Sequence, residues 1–152
     1  MTQAHDMAKL EARIRQTFEE AVAFNRILGI KVESIDPAAP KLRFDMRAEL
    51  IGNPRRQILH GGVISAVLDA TAGFAIHLAV AHQRTEDAAE GHFPTIGTID
   101  LRIDYLRPGR GKYFIATGRV VRLGNRVAVA HMELANDAGE LIATGGAAYM
   151  VA

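Results

Sequence analysis

The 152-residue sequence contains no cysteine and no tryptophan, and its aromatic residues amount to only 6%. The absence of cysteine excludes disulfide frameworks, thiolate nucleophiles and thiolate metal sites. Scarce aromatics provide little material for stacking nucleic-acid bases, and a formal net charge of +1 provides no broad basic surface. Residues 1–10 also lack the basic and apolar run of a secretory signal. We therefore expect a soluble cytoplasmic protein that has no nucleic-acid partner.

The longest apolar run, residues 63–81, is interrupted only by Ser65, Asp69, Thr71 and His77. Its length approaches that of a membrane span. A carboxylate near its middle is costly in lipid, however, and no basic cluster closely flanks the run. A helix that is apolar on every side is otherwise a core helix. We predict a long buried helix over about residues 61–82 and no membrane partner.

Strands are predicted on both sides of this helix. Apolar residues at helical spacing predict an amphipathic helix over about residues 1–25, and period-two alternation predicts strands elsewhere. The predicted strands cover residues 30–35, 41–49, 98–105, 113–123, 126–135 and 140–151. Antiparallel strands joined by tight turns curl around an apolar helix that they can cover. We predict an α+β architecture in one domain, residues 1–152: an antiparallel sheet wrapped around a long central helix, with an extra N-terminal helix.

Two features at the central helix point to chemistry. Gly61 and Gly62 open the helix and leave main-chain N–H groups uncovered, where the helix dipole favours an oxyanion or a carbonyl oxygen. Asp69 follows two turns later, in apolar surroundings where an unpaired carboxylate is costly. Taken singly, the glycines could simply start the helix, and Asp69 could be a core carboxylate bonded to Ser65, Thr71 or a strand amide. Together they indicate a functional site.

The same residues carry a family resemblance. The run HGGVI at 60–64, followed by Leu68 and Asp69, resembles the signature of hotdog-fold acyl-CoA thioesterases of the phenylacetate-pathway and hydroxybenzoyl-CoA type. Further segments are similar to the family's strands: residues 24–35, 98–108, 122–126 and 139–149. The resemblance implies the hotdog fold and hydrolysis of acyl-CoA thioesters to free acid and CoA. The resemblance implies no metal. It also implies no separate cofactor, because CoA is part of the substrate.

The resemblance also implies roles for individual residues. Asp69 would act either as a general base on water or as a nucleophile, and the Gly62 N–H would polarise the thioester carbonyl. A hotdog protomer usually donates half of each site, so Asp69 would face the partner's His-Gly-Gly turn. The implied assembly is a homodimer with its sites at the interface, commonly doubled to a tetramer as a dimer of dimers.

Four further residues near these positions are candidates. Some relatives carry an asparagine six residues before His60, where this chain has Pro54, and Asn53 is the candidate substitute. Thr98 matches a position where relatives have a hydroxyl that positions water, although a plain strand threonine is an equal alternative. As a general base His60 would need a hydrogen-bonding partner that orients it, and shaping the turn is its leading role. Gly61 is expected to contribute to substrate binding at the same turn.

The phosphates of CoA predict a basic entrance. Arg107 and Arg110 flank one predicted turn, and Arg122 and Arg126 flank another. Guanidinium groups suit phosphates. Each arginine alone is explained by a solvated turn, but as a group we expect them to contact phosphate. The histidines show no metal-ligand spacing, so no metal is predicted.

Two other functions remain open. A non-catalytic acyl-CoA-binding hotdog module would share the fold, but its pocket would gain nothing from an acid opposite an oxyanion-binding turn. The run GHFP at 91–94 resembles the opening of a motif of hotdog dehydratases, but here it follows the apolar helix instead of preceding it. This order disfavours a hotdog hydratase or dehydratase, and we interpret the run as chance or the end of a loop. Four residues could line an acyl pocket or could be packing positions: Ala70, Gly73, Phe74 and His77.

Overall fold

The chain folds as one antiparallel sheet that encloses a long helix. The computed structural model describes residues 2–83 and 94–152, with only the backbone for residues 2–7. Its helices are α1 (Thr2–Arg15), α2 (Ala23–Leu28) and α3 (Gly61–Gln83). Its strands are β1 (Lys31–Ser34), β2 (Lys41–Asp45), β3 (Ile51–Asn53), β4 (Ile58–Leu59), β5 (Ile96–Tyr105), β6 (Tyr113–Leu123), β7 (Val127–Asn136) and β8 (Leu141–Val151).

Six strands make the main sheet, in the order β1-β2-β6-β7-β8-β5, and every neighbouring pair is antiparallel. Strands β3 and β4 form a separate short hairpin just before α3. Because side chains alternate between the two faces of a strand, one face of the sheet points at α3. The alternating burial of β6 and β7 follows this pattern. The predicted hotdog architecture of a sheet around a central helix is confirmed.

Helix α3 is long and apolar enough to cross a membrane, but most of its residues are enclosed by the fold. Val67, Leu68, Ala72, Phe74 and Ile76 have almost no exposed surface. The sheet therefore accounts for the apolar composition of this helix, as predicted for a core helix.

The N-terminal helix is not the single element that its periodicity predicts. After α1 the chain makes one wide helical turn over Gln16–Ala21, and Val22 then adopts an extended conformation before α2 begins. The buried side-chain amide of Asn25 donates a hydrogen bond to the Phe18 carbonyl at 3.0 Å. This bond stabilises the break, because it pairs polar groups that would otherwise be buried without a partner. The segment ends at Gly29 in the left-handed region, with φ of 72°.

Three other local predictions differ from the structure. The strand predicted over residues 41–49 ends at Asp45, and a short 3₁₀ turn over Ala48–Leu50 follows. In the segment 24–35, which resembles the family's first strand, residues 24–28 belong to α2 instead. The β3–β4 hairpin was not predicted, because its strands are too short to show a period. Residues 91–93 of the GHFP run lie outside the described residues.

The two edges of the sheet differ in whether their outward backbone groups already have hydrogen-bond partners. At the β1 edge, the Arg15 guanidinium donates to the Val32 carbonyl at 2.6 Å, and the Glu19 carboxylate accepts from the Val32 N–H at 2.8 Å. These side chains occupy backbone groups that another strand would need. In the part of the chain that the structure describes, β5 pairs only with β8, so its ten residues leave one edge without a partner strand.

The contact between α3 and β6 depends on a residue without a side chain. A Cβ atom at Gly118 would lie 2.9 Å from the Ala75 Cβ and 3.0 Å from the Thr71 carbonyl oxygen, both on α3. We expect Gly118→Ala to lower the free energy of unfolding by about 1–3 kcal/mol, because the helix must move away from the strand. Urea denaturation measures this change.

The matched control is Gly146→Ala, since a Cβ atom there would lie 3.7 Å from the nearest side-chain atom, on His131. This second variant should stay within about 0.5 kcal/mol of the wild type. Equal stability of the two variants would contradict the proposed close approach.

Candidate active site

An open cleft of about 510 Å³ runs along α3 on the side that faces β5 and the N-terminal segment. One wall is apolar and comes from the break between α1 and α2, where Phe18, Val22 and Phe24 lie. The opposite wall comes from α3, β5 and β8, with the lining residues Gly62, Ser65, Ala66, Asp69, Ala70, Gly73, Ile96, Gly97, Thr98, Leu101 and Tyr149. Of these lining residues, Asp69 and Tyr149 are the titratable ones.

The Asp69 carboxylate receives two hydroxyl donors on the same oxygen. The Thr98 hydroxyl lies 2.9 Å from Asp69 Oδ1, and the Tyr149 hydroxyl lies 2.6 Å from it. Thr98 and Tyr149 are directly opposite each other on β5 and β8, so their side chains share one face of the sheet. Among the described residues, Ser65 and Thr71 instead bond to carbonyl groups of α3. Asp69 is therefore held by the sheet and not by its own helix.

Tyr149 was not predicted as a site residue. Its ring is 4% exposed, and its hydroxyl also lies 2.5 Å from the Asp69 carbonyl oxygen. Burial and the hydrogen bond to Asp69 raise the pKa of Tyr149 far above its ordinary value, against smaller opposing contributions from Thr98 and the Gly73 N–H. The phenol is therefore protonated at neutral pH and can donate. No local motif marks this residue, because it lies 80 positions after Asp69 in the sequence.

The start of α3 closes a hydrogen bond within its own turn. The Gly62 N–H donates to His60 Nδ1 at 2.8 Å, which assigns the neutral imidazole its proton on Nε2. The Gly61 carbonyl accepts from the Tyr105 hydroxyl at 3.0 Å. His60 therefore shapes the turn. A substrate carbonyl that bound the Gly62 amide would replace the imidazole as its acceptor.

Gly62 and Asp69 line one cleft but lie seven residues apart on one helix. At about 1.5 Å of rise per residue, their backbones are separated by about 10 Å along the axis. The two groups of one chain therefore lie about two helical turns apart.

The other predicted site residues are divided between the cleft and the surface. Thr98 lies in the cleft, where its hydroxyl binds Asp69. Asn53 is not a lining residue, and its side-chain oxygen accepts from the backbone N–H groups of Arg55 and Arg56 in the β3–β4 turn. The structure thus brings Gly62, Asp69 and Thr98 together and leaves Asn53 in a turn outside the cleft.

The four predicted arginines lie at two opposite ends of the sheet. Arg107 donates to the Leu141 carbonyl at one end of β8, on the turn that also holds Arg110. The Arg126 carbonyl accepts from the Val151 N–H at the other end, with Arg122 nearby on β6. The ends of an eleven-residue strand are about 33 Å apart. Within one chain the four arginines do not form one phosphate site.

Of the four residues that could line an acyl pocket, two do so. Ala70 and Gly73 line the cleft. Phe74 is fully buried, and its ring makes an edge contact with Phe18 at 4.9 Å. His77 packs edge-on against Phe18 at 5.5 Å, and its burial lowers its pKa from 6.5 to about 4. Phe74 and His77 are therefore packing positions between α3 and the N-terminal segment.

Comparisons with known proteins agree on one family. The model of the thioesterase superfamily matches residues 56–143. The medium/long-chain acyl-CoA thioesterase YigI of Salmonella typhimurium is 42% identical over 141 residues, which cover 91% of each chain. A protein from Syntrophus aciditrophicus, solved as a candidate thioesterase, is 42% identical with a TM-score of 0.82, covering 97% of this chain and 99% of its own. A Shewanella oneidensis protein related to the same superfamily is 41% identical, with a TM-score of 0.78 and coverages of 95% and 97%.

The low pKa of His77 predicts a stability that falls in mild acid. Above pH 6.5 the His77 imidazole is neutral in the folded and in the unfolded protein. Between pH 6.5 and about 4, only the unfolded chain binds the proton. Unfolding therefore becomes easier as the pH falls through this window, by no more than about 3 kcal/mol. We expect His77→Leu to lose this dependence of the free energy of unfolding on pH. Urea denaturation at several pH values measures it. The control His82→Leu, at an exposed position, should keep the wild-type dependence on pH. If the free energy of unfolding of His77→Leu fell with pH as steeply as that of the wild type, the prediction would be contradicted.

Proposed function

The chain belongs to the thioesterase superfamily, and from this premise we propose that it hydrolyses acyl-CoA thioesters with the Asp69 carboxylate. The observation that carries the proposal is the position of Asp69. It is the one carboxylate among the described lining residues of the cleft, and two strand hydroxyls hold it there. A module that only bound acyl-CoA would gain nothing from this arrangement.

Hydrolysis adds water across the C–S bond. In the general-base route, Asp69 takes a proton from water, the water oxygen attacks the thioester carbon, and the CoA thiolate leaves and is protonated. In the nucleophilic route, Asp69 attacks the thioester carbon and displaces the CoA thiolate, which is protonated. Water then hydrolyses the resulting anhydride to the free acid and restores the Asp69 carboxylate. Both routes need a carboxylate oxygen that faces the substrate, and neither needs a cofactor or a metal.

The thioester oxygen needs a donor while negative charge develops on it. We assign this role to the Gly62 N–H, which lies at the positive end of the α3 dipole. We further propose that the Gly62 that serves Asp69 belongs to a second copy of the chain, as the family resemblance implies. The separation of about 10 Å along the helix within one chain favours this arrangement. Gly61 and His60 would shape that same turn.

The open edge of β5 supports a homodimer. It is a ten-residue strand with the exposed apolar residues Ile99 and Tyr105, and Leu106 follows it. Such an edge favours pairing with another strand. Two copies of β5 paired antiparallel would bring Thr98 and the cleft of each copy to the interface. The neighbouring exposed residues Val127 and Met150 support further pairing of two dimers into a tetramer.

The same pairing would also unite the arginines. Antiparallel β5 strands place the end of one strand beside the start of the other. Arg107 and Arg110 of one copy would then approach Arg122 and Arg126 of its partner. This combined surface could hold the phosphates of CoA, which arginine recognises through paired N–H donors.

The apolar wall of the cleft indicates the acyl class. Phe18, Val22, Phe24 and Ile96 provide a surface for an aliphatic chain. This agrees with the medium- and long-chain substrates named for the Salmonella relative. We therefore propose medium- to long-chain acyl-CoAs as substrates, and the cytoplasm as the location because CoA thioesters are made and used there.

Asp69→Asn tests the catalytic assignment, because it keeps the shape of the side chain and removes its basicity. We expect kcat to fall by about 10²–10⁴-fold, with little change in KM. Thiol release from acyl-CoAs of increasing chain length measures both values. Undiminished turnover in this variant would contradict the role of Asp69, and no turnover of any acyl-CoA by the wild type would favour a binding module.

A complementation experiment tests the shared site. Gly62→Pro removes the N–H at a position in the first helical turn, where the proline backbone is tolerated. The His60 imidazole must move aside, because a Cβ atom at Gly62 would lie 2.8 Å from His60 Nδ1. A heterodimer of one Asp69→Asn chain and one Gly62→Pro chain, purified through two tags, retains one intact shared site. It should therefore show about half of the wild-type turnover per dimer.

The reciprocal arrangement is the control. With both substitutions on one chain and a wild-type partner, a shared site leaves no intact pair, so the heterodimer should be inactive. If each chain carried a complete site, the two results would be reversed.

A further inference from the structure

Tyr149 holds the Asp69 carboxylate from a strand that the proposed mechanism does not otherwise use. Its hydroxyl reaches both Asp69 Oδ1 at 2.6 Å and the Asp69 carbonyl oxygen at 2.5 Å. A Cβ atom at Gly73, one turn further along α3, would lie 3.5 Å from the Tyr149 hydroxyl and 3.4 Å from its ring. The phenol is thus seated against the helical turn that carries Asp69.

The Tyr149 side chain has little freedom to move. Tyr149 lies within β8, between β7 and β5, and its Cα partners are Ala128 and Thr98. Its ring is almost completely buried. A hydroxyl on a buried ring in a central strand has one position, so it fixes the carboxylate that it binds. Thr98 provides a second donor from the edge strand, where the register shifts directly afterwards.

No lining residue of the cleft in the described part of the chain is basic. The charge on Asp69 is therefore balanced by neutral hydrogen-bond donors and not by an ion pair. Both of these donors lie on Oδ1. In the described residues no donor to Oδ2 accompanies them, which leaves that oxygen to the substrate.

We propose that Tyr149 is a positioning residue that binds Oδ1 of Asp69, together with Thr98, and so makes Oδ2 the oxygen that acts on water or on the thioester. The inference rests on the proposed role of Asp69. Loss of the phenol hydroxyl leaves Oδ1 with Thr98 as its single donor, so the orientation of the carboxylate is fixed less firmly. Turnover then falls because the reacting oxygen is less often aligned. Substrate affinity is retained because the cleft wall is unchanged.

The test is Tyr149→Phe, which keeps the buried ring and removes only the hydroxyl. We expect kcat to fall about ten- to a hundredfold, with KM within about twofold of the wild type.

Tyr113→Phe is the matched control, because it makes the same chemical change on β6, where Arg43 stacks on the ring and the cleft is not involved. It should show wild-type kcat and KM. Thr98→Val removes the other donor to Oδ1 at an exposed position, so it probes the same oxygen without disturbing the core. It should likewise lower kcat with little change in KM, and this result can be measured even if Tyr149→Phe is too unstable to purify.

The outcomes separate the two proposals. If Asp69→Asn is inactive while Tyr149→Phe and Thr98→Val keep the wild-type kcat, the positioning role is wrong and the role of Asp69 stands. If Asp69→Asn is itself fully active, the proposed function is wrong in its catalytic residue, and the positioning role is wrong with it.

Discussion

The enclosure of α3 by the sheet is the constraint on which the rest of the structure depends. The helix is apolar on nearly every side, so it is stable only where strands cover it, and β6 approaches it so closely that Gly118 has no room for a side chain. A polar group on such a helix must be satisfied by its surroundings, because water has limited access. Asp69 lies where the sheet stops covering α3. There the hydroxyls of Thr98 on β5 and Tyr149 on β8 bind its carboxylate, and the cleft opens it to solvent.

The choice of hydroxyl donors bears on reactivity. An arginine would hold the carboxylate through two charge-assisted bonds and would occupy both of its oxygens. Two neutral donors on one oxygen hold the group in place and leave the other oxygen uncovered. A carboxylate held in this way is suited to acid–base or nucleophilic work on a neutral thioester.

Much of this arrangement could be predicted from the sequence, because local patterns encode it. Alternation located the long strands, and the apolar run with its paired glycines located the start of α3. The break at Val22 could not be predicted, since it depends on a buried bond between Asn25 and Phe18 that periodicity does not contain. Tyr149 could not be predicted either. Its partnership with Asp69 exists only once β8 lies beside β5, and nothing in its neighbourhood distinguishes it from a packing tyrosine.

The unequal edges of the sheet limit how large an assembly can grow by strand pairing. A sheet with two open edges can add copies at both sides without end, which produces a fibre. Here Arg15 and Glu19 occupy the Val32 backbone groups at one edge, so a copy that pairs through β5 presents a blocked edge outward. Pairing through β5 then ends after a single addition and gives a closed symmetric pair. The same two side chains that fasten the N-terminal segment to β1 would thereby protect the protein from polymerisation.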